Sequence, residues 1–172
     1  MPLVKALLIN KDAKGFAPIV VMFNPPSLKI TRATRYADIK TINTDPGKKQ
    51  FIKPENDTLT VELFFDTTVI GSYLSAGVNY AGLNKIPHVD LNGANMSPPV
   101  GFLLKPIFDL ARPAKGKDEP PRVIFAWGDL IFPGFIVSIE QKSDYFHTLG
   151  WAQRATLTIT ILHCEFDPGG VK

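Results

Sequence analysis

The chain has 172 residues, enough for one domain that buries roughly two thirds of the surface its unfolded form exposes. Hydrophobic residues make up 45% and charged residues 20%, a composition that excludes a disordered chain and a helical membrane protein. Lys and Arg number 19 against 16 Asp and Glu, a net charge of +3 with no block of five or more like charges, which argues against a nucleic-acid binder, and one cysteine excludes an intrachain disulfide framework.

The opening stretch MPLVKALLINKDAKG has one Lys before a short apolar run broken at Asn10 and Lys11 and lacks the small-residue cleavage site of a secretory leader. Cytoplasmic synthesis and no membrane insertion are the expectation. Pro2 to Asn10 is β-permissive, the Lys11 to Gly15 cluster supplies a turn, and Pro18 to Phe23 resumes an extended run, so a hairpin is predicted. Asn24-Pro25-Pro26 forces a turn, because each proline fixes φ and pushes its predecessor out of the helical region. From Leu28 the alternation of LKITRATRYADIKTI predicts one long, polar-leaning strand.

After the loop Asp45 to Lys49, the run Thr58 to Phe65 sets Leu59, Val61, Leu63 and Phe65 against Thr58, Thr60, Glu62 and Phe64, an amphipathic strand. Gly71 to Asn95, rich in Gly, Asn and Ser, reads as a long irregular excursion inserted in a single domain spanning 1–172. Ser97-Pro98-Pro99 then starts a helix over about 99–111, where Val100, Leu103, Leu104, Ile107, Phe108 and Ala111 share a face and Pro106 predicts a kink or break. Arg112 to Arg122 is a charged surface linker. Val123 to Trp127 is a strand closed by Gly128-Asp129; Leu130 to Phe146 is a strand interrupted at Pro133-Gly134; His147 to Gly150 turns the chain into a last strand, Trp151 to Phe166. About seven strands and one helix predict a mainly β protein, an antiparallel β-barrel or strongly curved sandwich with the helix packed on it.

No constellation for chemistry emerges. Glu62, Glu140 and Glu165 alternate with apolar neighbours as solvated charges do, and His88, His147 and His163 lack metal-ligand spacing. Ser138 sits inside a strand without a nucleophile elbow, and no phosphate loop occurs. No catalytic residue, metal ligand or cofactor is assigned. Cys164, in a strand-like stretch, reads as a small half-buried hydrophobe. Lys29, Arg32, Arg35 and Tyr36 form a basic and aromatic face that a single-stranded nucleic-acid or glycan-binding barrel could use, with Tyr36, Trp127 and Trp151 as stacking residues; a solvated or subunit-facing strand is the simpler reading.

Five words in fixed order carry a resemblance: Phe23-Asn24-Pro25, Glu62 to Thr67, Pro120 to Gly128, Phe132 to Ile139 and Arg154 to Ile159. Together they resemble the N-terminal domain of contractile injection system tube-type proteins, baseplate or tube-initiator components of phage-tail-like particles that often carry a LysM module. The chain stops at Pro168-Gly169-Gly170-Val171-Lys172, so that module is expected to be absent or supplied by another protein. The resemblance implies a tail-tube-like barrel whose copies, six by inheritance, form a ring between the spike hub and the inner tube. A tube cap or tail-terminator ring is the related alternative. Implied partners are further copies, the inner tube protein and the spike or hub protein, with baseplate wedge or sheath components beyond them, in a particle assembled in the cytoplasm. Candidate partner contacts are Phe23, Asn24, Pro25, Pro26, Arg32, Arg35, Tyr36, Tyr80, Trp127 and Trp151.

Overall fold

The computed structural model describes residues 4–12, 18–38, 49–54, 56–69, 98–113 and 116–165. The excursion at 71–95, with Tyr80 and His88, lies outside these residues, as do Ser97 and the chain's last residues. In chain order the elements are β1 (Leu7–Asn10), β2 (Ile19–Val20), β3 (Leu28–Thr31), β4 (Thr34–Asp38), β5 (Lys49–Pro54), β6 (Thr58–Asp66), a 3-10 turn (Thr67–Val69), the helix α1 (Gly101–Asp109), β7 (Val123–Trp127), β8 (Leu130–Phe146) and β9 (Ala152–His163). Seven strands make one antiparallel sheet in the order β2-β1-β7-β8-β9-β6-β3, and β4 and β5 make a separate hairpin. The described residues are mainly β with one helix, a curled antiparallel half-barrel sheet.

Period-two patterning builds the core. Leu59, Val61, Leu63 and Phe65 of β6 lie in register with Ile161, Ile159, Leu157 and Ala155 of β9, and all eight are buried. The alternate residues, from Thr58 to Phe64 on β6 and Thr156 to Thr160 on β9, face outward. Phe125 of β7 sits between Leu8 and Phe132, again on the inner face. The helix closes this face through Val100, Leu104, Ile107 and Leu110, all 4% exposed or less, where each apolar side chain contributes roughly 1.5–3 kcal/mol by leaving water. Across the open side, Met22 and Phe23 reach β6: the Met22 sulfur accepts the Asp66 amide at 3.3 Å, and the Phe23 and Phe64 rings lie 5.4 Å apart. Side chains therefore bring the two ends of the curl together.

The sheet is staggered about one residue. β7 accompanies β8 only from Leu130 to Gly134, and β9 accompanies it from Gly134 to Phe146, so Gly134 pairs with Val123 on one side and His163 on the other. The expected interruption at Pro133-Gly134 is absent, and β8 runs through it. The Pro133 carbonyl accepts the Cys164 amide, at 3.2 Å, beyond the end of the β9 ladder. N–H and C=O of one strand residue point to the same side, so the donor that Pro133 lacks is missing where the ladder has stopped. A bulge between Ile136 and Ser138 then bends β8.

Two further expectations are corrected. The stretch from Leu28 is two strands: after the last β3–β6 pair, Thr31 with Thr58, the Arg32 guanidinium grips the Asp57 carboxylate, Nη2 to Oδ2 at 2.6 Å, and the chain leaves for the second sheet. The helix is shorter than 99–111 and begins after both prolines, with Val100 at its N-cap and no side-chain cap. Pro106 neither ends nor divides it, since the packing of Leu104 and Ile107 holds the turns on both sides.

Candidate assembly interface

β8 has 17 residues and β7 has five, and the tight Gly128-Asp129 turn starts them together, so β8 must outrun its neighbour. From Ile136 to Phe146 it has a strand partner on its β9 side alone among the described residues. This leaves about 35 Å of strand edge at ~3.3 Å per residue, a template for another strand. Ser138, Glu140, Lys142 and Asp144, all exposed, point outward along it. At the other margin of the same half-sheet is β3, with Lys29 exposed and Ile30 46% exposed. One margin carries Glu140 and Asp144, the other Lys29 and Arg32.

The outward face between these margins is a hydroxyl surface. The cross-strand rows run Lys29–Thr60–Thr160–Ser138, then Glu62–Thr158–Glu140, then Phe64–Thr156–Lys142. Every threonine in them is half-buried and water-accessible. The charges alternate in sign from row to row and nearly cancel.

At the far end of the β8–β9 hairpin the character reverses. Tyr145, Phe146 and Leu149 are 58%, 61% and 68% exposed. The turn beneath them is tightly bonded: His147 donates its amide to the Trp151 carbonyl at 2.8 Å, its Nδ1 accepts the Leu149 amide at 3.1 Å, and its ring stacks on Trp151 at 4.3 Å. Tyr145 has φ of 54°, a left-handed backbone that costs a non-glycine residue about 1 kcal/mol or more, and its ring covers the Arg154 guanidinium at 4.7 Å. Arg154 is fixed in turn by Asp66, Nε to Oδ2 at 2.7 Å.

The residues singled out in the sequence scatter over this frame. Asn24 is a clasp: its Nδ2 donates to the Val4 carbonyl at 2.8 Å and its Oδ1 accepts the Ala6 amide at 3.2 Å. Phe23 is half-buried against Phe64, with Lys5 Nζ 5.9 Å from its centroid; Pro25 is buried and Pro26 exposed. Burial lowers the Lys5 pKa, while its ammonium donates to the Met22 carbonyl. Arg32 is exposed at the β3 margin; its hydrogen bonds hold the Asp57 carboxyl below the ordinary carboxylate value and raise its own. Arg35 and Tyr36 lie in β4 at a bulge opposite Lys53 and Phe51, and Tyr80 lies outside the described residues. Trp127 packs half-buried on the core, and Trp151 stacks on His147, so neither indole offers two open faces. The sequence reading missed Tyr145, Phe146 and Leu149, although two adjacent aromatics at a strand end break the alternation that hides such residues.

Glu62, Glu140 and Glu165 are exposed, as expected; Ser138 is exposed within β8, and Cys164 is half-buried just past the end of β9. No group of three or more His, Cys, Asp or Glu able to hold a metal occurs among the described residues. No helix among them is long and apolar enough to cross a membrane. A cleft of about 460 Å³ beside Lys117, Glu119 and Phe135 is built around an internal clamp. There the Asp12 carboxylate accepts the Arg122 amide at 2.8 Å, Nε at 2.8 Å and Nη2 at 2.6 Å, tying the end of β1 to the start of β7.

Those hydrogen bonds, above all from the Arg122 side chain, hold the Asp12 pKa below its ordinary 3.8. The unfolded chain therefore binds the proton at higher pH than the native one, and the clamp's contribution is complete above about pH 4 and lost as pH falls through the depressed value. Urea midpoints of the wild type and Asp12→Asn should differ by a constant amount near neutrality, and the gap should narrow progressively as the pH falls below about 4. A gap that does not change as the pH falls through the acid range contradicts the assignment.

No curated relative matches the chain. A family model does: the one described as contractile injection system tube protein matches residues 4–167, covering the half-barrel, the helix and both sheet margins. The chain belongs to the contractile injection system tube protein family.

Proposed function

We propose that this protein is a structural ring subunit that joins the spike hub of a baseplate to the inner tube, a tube initiator or adaptor that works by assembly without turnover. The observation that carries this reading is the β8 edge from Ile136 to Phe146, which has no second strand partner among the described residues and lies at one margin of a four-strand half-sheet whose other margin is β3. Pairing β8 of one copy with the four residues of β3 of the next would satisfy the β3 edge and part of the β8 edge, and would bring the acidic Glu140 and Asp144 toward the margin that carries Lys29. Such a contact joins unlike surfaces, so it repeats around a ring and closes when the rotation fits, at six copies on the family pattern. The hydroxyl rows then face the channel, where a wall of balanced charge holds neither an acidic nor a basic passenger. A terminator ring would use the same edges and differ in its neighbours.

Sedimentation and projection images of the pure protein, alone and mixed with inner tube and spike proteins, test the proposal. Rings are expected, alone or with those partners, and the double substitution Glu140→Lys with Asp144→Lys should weaken ring formation at least about tenfold at low salt. A stable monomer that joins neither partner overturns the reading.

A further inference from the structure

One rung of the β8–β9 ladder is missing. Ser143 pairs with Ala155, Asp144 with Arg154 and Phe146 with Ala152, a register that sets Tyr145 opposite Gln153, yet these two do not pair. Alternation assigns both to the inner face, since Ala155 and Gln153 are 0% and 6% exposed while Asp144 and Arg154 stand on the outer one. Tyr145 does not follow it. Its φ of 54°, the one positive value outside glycine among the described residues, turns the side chain to the outer face, where the ring lies 4.7 Å from the Arg154 guanidinium.

Both partners of the missing rung carry a cost. An L side chain in the left-handed region crowds the following carbonyl, and tyrosine lacks the short polar group with which asparagine or aspartate offsets this. Gln153 is buried; its carbonyl accepts the Thr67 hydroxyl at 3.0 Å, but its side-chain amide hydrogen-bonds to no described residue. A buried amide without a partner forfeits its hydrogen bonds to water. One change answers both costs: an extended backbone at Tyr145 removes the crowding and directs the phenol to the inner face, where its hydroxyl can pair with the amide. That face is open beside it, because Ser143 is half-buried and Gln141 is exposed. The outer seat has one hold in return, the Arg154 cation against the ring, with Arg154 fixed by Asp66.

We infer that Tyr145 is a two-position switch at the end of the open β8 edge: outward and left-handed in the free subunit, extended and inward against Gln153 once a neighbour's strand pairs with that edge. The coupling to pairing rests on the ring reading above. A left-handed residue breaks the regular sequence of N–H and C=O along an edge, so a strand laid on β8 pairs past Asp144 only when Tyr145 is extended. Pairing therefore selects the inner seat, and in the free subunit the outer seat shortens the edge on offer.

The test uses the full chain and three variants. Tyr145→Val excludes the left-handed region, Tyr145→Gly adopts it freely, and Gln153→Leu removes the amide at nearly constant volume. In the free wild-type subunit, chemical shifts and relaxation dispersion at residue 145 should show a left-handed major state exchanging with an extended state populated at roughly 1–10%. Gln153→Leu should abolish the minor state and leave the melting temperature unchanged or higher. Rings, followed by sedimentation, should form from Tyr145→Val at a concentration at least about tenfold below the wild type, the inverse of that population, and from Tyr145→Gly at a higher one. A single state at residue 145 in the wild type, or a melting temperature lowered by Gln153→Leu, overturns the switch. Equal ring-forming concentrations for the wild type and both Tyr145 variants overturn it while the ring reading stands. No ring from any of them, alone or with inner tube and spike proteins, overturns the ring reading and with it the coupling.

Discussion

Gly134→Ala is expected to destabilise the fold by about 3 kcal/mol and to lower the melting temperature by roughly 6–12 °C, given 2–4 °C per kcal/mol for a chain of this size. A Cβ at this position would lie 2.1 Å from the Leu162 carbonyl oxygen and 2.8 Å from Ile161 Cγ2. Neither can retreat cheaply. Leu162 is backbone, and Ile161 is buried against Leu59 across the next ladder, so relief at Gly134 must move β9 away from both neighbours. The reason lies in the stagger: β8 changes partners at this residue, and β9 occupies the space that a Cβ would take. Gly101→Ala is the matched control, because a Cβ there meets nothing within 4 Å; it should leave stability unchanged or raise it by up to about 1 kcal/mol. Thermal unfolding of the two variants separates them, and equal melting temperatures would remove the close-approach argument.

Phe125→Ala should cost about 3–5 kcal/mol, a large share of the 5–15 kcal/mol that holds a domain of this kind together. The ring is fully buried between Leu8 and Phe132, in the middle of a strand hydrogen-bonded on both sides, where the walls of the resulting cavity cannot close. Phe125→Leu keeps most of the volume and should cost less than half as much. Denaturant midpoints at unchanged slope are the measurement; a loss under about 1 kcal/mol for the alanine variant would mean that the site collapses and that β7 is less central than its burial indicates.

What could be read from the residues follows the strength of their periodicity. β6 from Thr58 to Leu63 and the apolar half of β9 alternate without exception, and each of those inward residues is buried. Val123–Trp127 and its Gly-Asp turn were legible from the same signal, as was the hairpin that pairs Leu7 with Val20. Proline misled twice, at Pro106 and Pro133, because the packing that holds a helix turn and the place where a ladder stops are decided by distant residues. Alternation misled once. It continues through Arg32 and Ala33, whereas the strand ends where Asp57, 25 residues on, captures the guanidinium. β5, KQFIKP, has too few apolar residues to announce itself. The candidate interface was half legible: a long strand following a short one across a tight turn implies an open edge, but which residues crown the hairpin depends on how far β6 and β9 extend. Phe23 and Asn24, expected as partner contacts, also fasten the chain to itself, through the Phe64 ring and the Val4 and Ala6 backbone.

The charges along the β8 edge bear on when the subunit is vulnerable. Between release from the ribosome and capture by a neighbour, a strand with one row of amides open can join any extended chain it meets. Glu140, Lys142 and Asp144 stand on one side of that strand, with Ile139 half-buried on the other. An incoming strand slipped by one residue turns its own side chains to the wrong face and meets those charges with apolar groups. In the assembly proposed above, the same charges that would favour the right neighbour would disfavour a strand one residue out of register.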